Sequence, residues 1–153
     1  MVKVVIGDIL DAKEDIICHQ VNCRGVMGAG VAKAISDKWP KVKQEYVSYA
    51  NKFRNNPDIL LGLVQLVEVD KNKFVANIFG QLDYGRYKNK RYTDYAALKS
   101  AFEYIKLAHP NKTIAFPYGF GCGLANGNWD IVKIIIDTYL DGLDVTIYKL
   151  QDA

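Results

Sequence analysis

The sequence predicts an α/β fold in which a mixed central sheet of about six strands is sandwiched between helices. Short runs rich in β-branched residues alternate with segments of helical periodicity, and one pair of strands is joined by a short polar turn. The chain has 153 residues, 50% of them hydrophobic, which is enough for one core. Since no linker or internal repeat interrupts it, we expect a single domain over residues 1–153.

The first third of the chain predicts two strands and two helices. Val2–Ile6 and residues 15–21 are the strands, because both runs are rich in β-branched residues. Apolar residues then recur at helical spacing from Val31 up to Pro40, where the first helix should end. Pro40 suits the first turn of the next helix, which residues 55–58 should close.

The middle of the chain predicts a β-hairpin followed by an irregular loop. Residues 59–69 and 73–79 are apolar runs on either side of a polar turn, a pattern typical of two paired antiparallel strands. Residues 84–92, the basic segment, have no periodicity and mix tyrosine with lysine and arginine. This segment is predicted to be a loop.

The last third predicts two more strands and two more helices. A helix with its N-cap at Thr93 or Asp94 should precede a buried strand over residues 113–116. After a glycine-rich stretch, Asn128 is a suitable N-cap for the final helix. Residues 145–150 are predicted to form the closing strand.

Composition and charge exclude several classes of protein. A mean hydropathy of −0.07 and the lack of low-complexity tracts exclude a disordered or repetitive chain. No apolar run approaches the roughly 18 residues that cross a bilayer, so we expect a cytoplasmic protein with no membrane partner. Three cysteines and two histidines predict no disulfide framework and no metal site, and no cofactor is expected. The net charge of +3 indicates a mild preference for anionic partners, weaker than that of a dedicated nucleic-acid domain.

Two glycine-rich stretches each follow a predicted strand and lead into a helix: residues 25–30, the first glycine loop, and residues 117–127, the second glycine loop. In an open α/β sheet such strand ends share one edge, where ligands bind. Glycine lets backbone N–H groups approach an anion, and the helix N-terminus adds a favourable dipole. Two such loops could hold a diphosphate, although each alone is equally explained as a tight connection, and neither matches a P-loop.

Three motifs follow one another along the chain. They are Gly7-Asp8-Ile9-Leu10, then His19-Gln20-Val21-Asn22-Cys23-Arg24-Gly25-Val26-Met27-Gly28-Ala29-Gly30-Val31-Ala32, and finally Tyr118-Gly119-Phe120-Gly121-Cys122-Gly123-Leu124. In this order they resemble the motifs of macrodomains. The similarity extends from the first predicted strand to the last. Within the superfamily the chain most resembles the small branch that contains the terminal ADP-ribose protein glycohydrolase, the DNA ADP-ribosyl glycohydrolase antitoxins and the ADP-ribose 1''-phosphate phosphatases.

The resemblance implies ADP-ribose or a derivative, free or on a macromolecule, as the ligand. Asp8, followed by Ile9, stands where family members accept a hydrogen bond from the adenine amino group, and an Asx-type turn is the alternative. Asn22 would reach the hydroxyls of the distal ribose, or would only satisfy backbone groups of its own loop.

The resemblance also implies that backbone amides hold the two phosphates. One phosphate would take the amides of Gly28, Ala29, Gly30 and Val31, and the other those of Gly121, Cys122, Gly123 and Leu124. The pocket wall would be formed by Tyr118, Gly119 and Phe120 with Tyr84, although aromatic residues beside a glycine loop are as often part of the core.

Two positions depart from the glycohydrolase members of the family. Those members carry a nucleophilic lysine after the fourth strand and a proton-transferring aspartate after the second glycine motif, where this chain has Gln81 and Ala125. An amide cannot form an imine and a methyl group cannot carry a proton. That mechanism is therefore not expected, unless Lys88 or Lys90 from the basic segment takes the place of the lysine.

The phosphatase members offer a closer match, because some carry the pattern His-x-x-Asn-Cys that His19, Asn22 and Cys23 reproduce. His19 and Asn22 are therefore the candidate catalytic residues. An imidazole with a pKa of about 6.5 could activate water near pH 7, whereas a strand-end histidine is as often structural. For the cysteines Cys23 and Cys122, packing is favoured over a nucleophilic role, since no second histidine stands near either.

The basic segment suggests two further hypotheses. Its cations, interleaved with tyrosines, could grip a phosphate backbone and stack on bases, as in proteins that bind single-stranded nucleic acid. The simpler interpretation, which we favour, is a solvated loop that closes over an anionic nucleotide. The expected function is hydrolysis of a phosphate or acyl group from the distal ribose of an ADP-ribose derivative. A reader that binds ADP-ribose without catalysis is the main alternative, and a glycohydrolase acting by a variant mechanism is the third.

Overall fold

Within residues 2–151, which the computed structural model describes, the chain forms six strands, four α-helices and two short 3-10 helices. The strands are β1 (Val2–Ile6), β2 (Ile16–Asn22), β3 (Val64–Asp70), β4 (Lys73–Gln81), β5 (Thr113–Pro117) and β6 (Asp144–Lys149). The α-helices are α1 (Gly30–Lys38), α2 (Pro40–Asn51), α3 (Tyr95–Ala108) and α4 (Trp129–Tyr139). The 3-10 helices span Ile9–Asp11 and Pro57–Leu60. Residues 1, 152 and 153 of the expected domain lie outside the described part.

The six strands form one mixed sheet in the order β1-β6-β5-β2-β4-β3. Every neighbouring pair is parallel except β3 and β4, which form the antiparallel hairpin that the sequence predicts. The predicted mixed sheet of six strands is therefore confirmed. All strands except β3 run in the same direction, so the carboxyl ends of these five strands lie along one edge of the sheet.

Helices cover both faces of this sheet, as predicted. On one face Phe102 of α3 packs edge-on against Phe116 of β5, with ring centroids 5.2 Å apart. On the other face Tyr46 of α2 contacts Phe79 of β4 at 5.9 Å, and Ile35 of α1 is fully buried. Each layer buries large apolar side chains, so the two faces together form the core. None of the helices in the described part of the chain is long and apolar enough to cross a membrane.

The start of β3 differs from the sequence expectation, and the structure decides between the two residues proposed as the N-cap of α3. Residues 59–69 do not form one long strand: Pro57–Leu60 is a 3-10 helix and β3 begins only at Val64. The chain turns between them at Gly62, where φ is +90° and the N–H donates to Phe79 O at 2.8 Å. The N-cap of α3 is Asp94, whose carboxylate accepts the Ala97 N–H at 3.0 Å.

Candidate functional site

A cavity of about 740 Å³ lies at the edge of the sheet where the parallel strands end. Its walls are the end of β2 with the first glycine loop and the start of α1, the segment after β4, and the second glycine loop. The cavity is lined by residues 19–22 and 26–32, residues 81 and 84–86, and residues 117–121 and 123–125. Thus all predicted site residues line it except Asp8, Ile9 and Cys122.

The first glycine loop presents the unprotected start of α1 to the cavity. The first N–H groups of a helix have no partner within the helix. Ala29, at the N-cap position, offers no side-chain acceptor, and Gly30 begins the helix with φ +59°. Residues 28–32 all line the cavity, so the helix start can donate to an anion placed there.

Asn22 braces the first glycine loop. Its Oδ1 accepts the Arg24 N–H at 2.9 Å, and its Nδ2 donates to Val26 O at 2.7 Å. The buried Tyr46 hydroxyl lies within donating distance of two oxygens of Asn22, the backbone carbonyl at 2.7 Å and Oδ1 at 2.8 Å. Asn22 therefore satisfies backbone groups of its own loop, which was the alternative to a contact with the ribose. The same side chain also lines the cavity.

The second glycine loop uses some of its own amides. The Cys122 N–H donates to Gly119 O at 2.8 Å, and the Gly127 N–H donates to Gly121 O at 2.9 Å. The amide of Cys122, which was expected to hold a phosphate, is therefore already bonded, and Cys122 does not line the cavity. Gly119 and Gly121 have φ of +78° and +73°, which explains the need for glycine at both positions.

A polar network beneath the cavity joins β2, β4 and the second glycine loop. Gln20 Nε2 donates to Gln81 Oε1 at 2.8 Å and to Thr93 Oγ1 at 2.9 Å. The Thr93 hydroxyl in turn donates to Gly121 O at 2.6 Å. Gln81 Nε2 donates to Asp83 O at 2.8 Å, so both ends of the Gln81 amide are held.

Sequence reasoning missed this network. The sequence motif around His19 assigns no role to Gln20, and local sequence signals predict only a helix cap at Thr93. The two residues are 73 positions apart in the chain, and nothing local in the sequence predicts their contact.

His19 lies at the end of a directed chain of hydrogen bonds. Gln65 Nε2 donates to the backbone carbonyl of Glu45 at 3.1 Å, so Gln65 Oε1 faces Asn77 and accepts from its Nδ2 at 3.0 Å. Asn77 Oδ1 must therefore accept from His19 Nε2, at 2.5 Å. This fixes the proton on Nε2 and leaves Nδ1 as the bare nitrogen, which is buried and has no hydrogen-bond partner in the described part of the chain.

Burial lowers the pKa of His19 to about 4, since the charged imidazolium is poorly solvated there. The side chain is 1% exposed. These surroundings agree with the alternative of a structural histidine, and the catalytic role of His19 stays a prediction.

Asp8 and Ile9 lie outside the cavity wall. Asp8 Oδ1 accepts the Leu10 N–H at 2.9 Å and caps the first 3-10 helix. Ile9 is 7% exposed and packs in the core. The Asx-type turn considered for Asp8 is thus present, on the side of the site nearest β1.

Burial disfavours the thiolate form of all three cysteines. Burial raises the pKa of Cys23 to about 12 and that of Cys122 to about 11, and it raises the pKa of Cys18 further still. These shifts agree with the interpretation of the cysteines as packing residues.

The basic segment is fastened beside the cavity. Asn126 Nδ2 donates to Tyr87 O at 2.9 Å and to Lys90 O at 2.7 Å, and Ala125 O accepts the Tyr92 N–H at 2.8 Å. Asn126 adopts φ +60°, a conformation that asparagine tolerates better than most residues. Tyr92 is 7% exposed, so it is not available to stack on a base.

The cavity wall is almost free of charge. Among residues 2–151, Arg86 is the one lining residue that carries a formal charge at neutral pH, and no aspartate, glutamate, lysine or cysteine of this range lines the cavity. Gln81 and Ala125, which stand where glycohydrolases carry lysine and aspartate, both line it. Across residues 2–151 no three His, Cys, Asp or Glu side chains converge in a way that could hold a metal ion.

Comparisons with known proteins agree on one family. The family model of the Macro domain matches residues 18–136. An uncharacterized 17.5 kDa protein of enterobacteria phage T4 is 31% identical over 155 residues, covering 96% of this chain and 95% of that protein. An ADP-ribose 1''-phosphate phosphatase of Meyerozyma guilliermondii is 32% identical over 96 residues, 54% of this chain and only 55% of that enzyme. The solved structure of a macrodomain protein from Streptomyces coelicolor superposes with a TM-score of 0.77 at 28% identity, covering 97% of this chain and 98% of that one.

Proposed function

The chain belongs to the macrodomain family, and from this premise we propose that it binds an ADP-ribose derivative and hydrolyses a phosphate or acyl group from the distal ribose. The observation that carries the proposal is the pair of glycine loops facing one cavity. Free amides and an uncapped helix start are suited to a diphosphate, because they hold anionic oxygens without a metal ion or a lysine. The name of the similar fungal enzyme supports the phosphate ester as substrate.

The order of the strands suggests how the ligand lies. In the order β1-β6-β5-β2-β4, Asp8 follows β1, the two glycine loops follow β5 and β2, and Gln81 ends β4. With the diphosphate between the glycine loops, adenine toward Asp8 would direct the distal ribose toward Gln81. The group to be removed would then lie near the end of β4.

Phosphate removal transfers the phosphoryl group from the ribose oxygen to water. A water oxygen bonds to phosphorus, the bond from phosphorus to the ribose oxygen breaks, and that oxygen ends as a hydroxyl that carries one proton of the water. The products are inorganic phosphate and ADP-ribose. A cation that lines the cavity can position and partly neutralise the phosphate, whereas an acyl ester has no such charge.

A second candidate function is that of a reader that binds ADP-ribose and turns nothing over. The observation that favours it is the cavity wall itself, where His19 is buried with a pKa of about 4 and Gln81 and Ala125 replace reactive side chains. Both functions require the same ligand site, so binding alone does not separate them.

Two measurements test the proposal. Calorimetry with ADP-ribose tests binding, and no heat of binding at millimolar ligand would remove both candidate functions. Release of inorganic phosphate from ADP-ribose 1''-phosphate, and of acetate from O-acetyl-ADP-ribose, then separates hydrolase from reader. Binding without release of either product above the buffer rate would leave only the reader.

A matched variant keeps the result specific to the site. A Cβ at Gly123 would meet no atom within 4 Å, and Gly123 lines the cavity. Gly123→Val should therefore fold normally while its side chain obstructs the ligand, weakening ADP-ribose binding by about tenfold or more. An unchanged melting temperature serves as the control, and unchanged affinity would mean that the ligand binds elsewhere.

A further inference from the structure

We propose that Arg86 makes the site selective for a phosphate monoester on the distal ribose over an uncharged acyl ester at the same position. The inference rests on the proposed function, and it names the class of substrate that the site prefers. Arg86 would act as a specificity-determining residue that contacts the terminal phosphate.

Arg86 gives the cavity wall a positive charge. In the described part of the chain, Arg86 is the single lining residue with a formal charge at neutral pH. The guanidinium makes no hydrogen bond or ion pair with any residue between positions 2 and 151, and the side chain is exposed to the cavity and solvent. The carboxylate of Asp83, three positions before Arg86 in the chain, is paired with Arg24 at 2.8 Å. The Arg86 charge is therefore available to a ligand.

The other cations of the basic segment lie outside the cavity wall, unlike Arg86. The Lys90 ammonium lies 5.0 Å from the centre of the Tyr92 ring, and the Arg91 guanidinium lies 4.1 Å from that of Tyr95. These contacts hold both cations on aromatic faces. Neither residue lines the cavity, and nor does Lys88.

A hydrogen bond holds the backbone next to Arg86. The following residue, Tyr87, accepts a hydrogen bond from Asn126 at 2.9 Å through its carbonyl oxygen. Asn126 directly follows Ala125, which lines the cavity. Arg86 is thus tethered between the end of β4 and the second glycine loop, where the strand order directs the distal ribose.

A phosphate monoester and an acyl ester on the distal ribose differ in charge. A phosphate monoester adds about 1.5 to 2 negative charges near pH 7, beyond the diphosphate that the loop amides would bind. The planar guanidinium donates two parallel hydrogen bonds to phosphate oxygens, and it stays protonated throughout hydrolysis. An acyl ester offers no such charge, so Arg86 should discriminate between the two.

The test compares three ligands on the full chain by calorimetry: ADP-ribose, ADP-ribose 1''-phosphate and O-acetyl-ADP-ribose. Arg86→Gln removes the charge at the cavity, and the control Arg54→Gln makes the same change at an exposed arginine that does not line it. We expect Arg86→Gln to bind the phosphorylated ligand about tenfold more weakly and the other two ligands nearly as wild type does. Arg54→Gln should leave all three affinities unchanged, and Arg86→Lys should restore part of the loss.

Salt provides a second readout, because a contact between partly exposed charges is screened. The wild-type preference for ADP-ribose 1''-phosphate over O-acetyl-ADP-ribose should fall as salt rises, and the preference in Arg86→Gln should not. If Arg86→Gln weakens all three ligands equally, or weakens none, the selectivity proposal is wrong while ADP-ribose binding stands. If the wild-type protein binds none of the three ligands, the proposed function itself fails.

Discussion

The hydroxyl of Thr93 offers a quantitative test of the network that holds the second glycine loop. Thr93 is 1% exposed, donates to Gly121 O at 2.6 Å and accepts from Gln20 Nε2 at 2.9 Å. Thr93→Val keeps the shape of the side chain and removes both hydrogen bonds. Each bond is worth about 1 kcal/mol net, so the free energy of unfolding should fall by about 2 kcal/mol.

The remaining partners limit that loss. Gly121 O keeps its bond from the Gly127 N–H at 2.9 Å, and Gln20 Nε2 keeps Gln81 Oε1 at 2.8 Å. Neither group is left without a partner, so the larger penalty for an unsatisfied buried group does not apply. For a chain of this size the melting temperature should fall by about 4 to 8 °C.

Thr93→Ser is the matched control, because it keeps the hydroxyl and loses only a methyl group, at a cost of about 1 kcal/mol. Thermal unfolding followed by circular dichroism compares the two variants, and calorimetry measures ADP-ribose binding. We expect Thr93→Val to bind several-fold more weakly, as the Gly121 peptide loses one of its anchors. If Thr93→Val is no less stable than Thr93→Ser and binds ADP-ribose equally well, the network does not position the loop.

Three further predictions concern other parts of the site. Burial lowers the pKa of His19 from 6.5 to about 4, so the unfolded state binds the proton more readily between those values. The free energy of unfolding should therefore fall by about 3 kcal/mol as the pH drops from about 6.5 to about 4, and His19→Gln should lose this part of the slope in denaturant titrations. Asn126→Gly keeps the φ of +60° accessible but removes the tether to the basic segment, so it should weaken ADP-ribose 1''-phosphate binding several-fold in calorimetry; wild-type affinity would mean the tether is dispensable. Asp8→Ala should weaken ADP-ribose binding if adenine lies at the β1 side, and equal affinity in the same assay would contradict that orientation.

Much of the fold follows from local sequence signals. Alternating strands and helices, the cap at Asn128 and the proline that opens α2 act over a few residues, and the structure has each of them where the sequence predicts it. The start of β3 was missed, because the apolar run over residues 59–69 has the same composition whether or not it is extended throughout. Gly62, whose φ of +90° turns the chain, was the signal that could have shown the break.

The sequence by itself also determined which loops meet, since the carboxyl ends of parallel strands share one edge. What each residue does there was decided only by the tertiary structure. Packing buries His19 and bonds its Nε2 to Asn77, and the Cys122 amide is bonded to Gly119 O. Thr93 is bonded to Gln20 and Gly121, which are distant from it in the chain, and Arg86 lines a cavity whose other walls come from remote segments. Hydrogen-bond partners and burial depend on packing between remote segments, which local propensity does not encode.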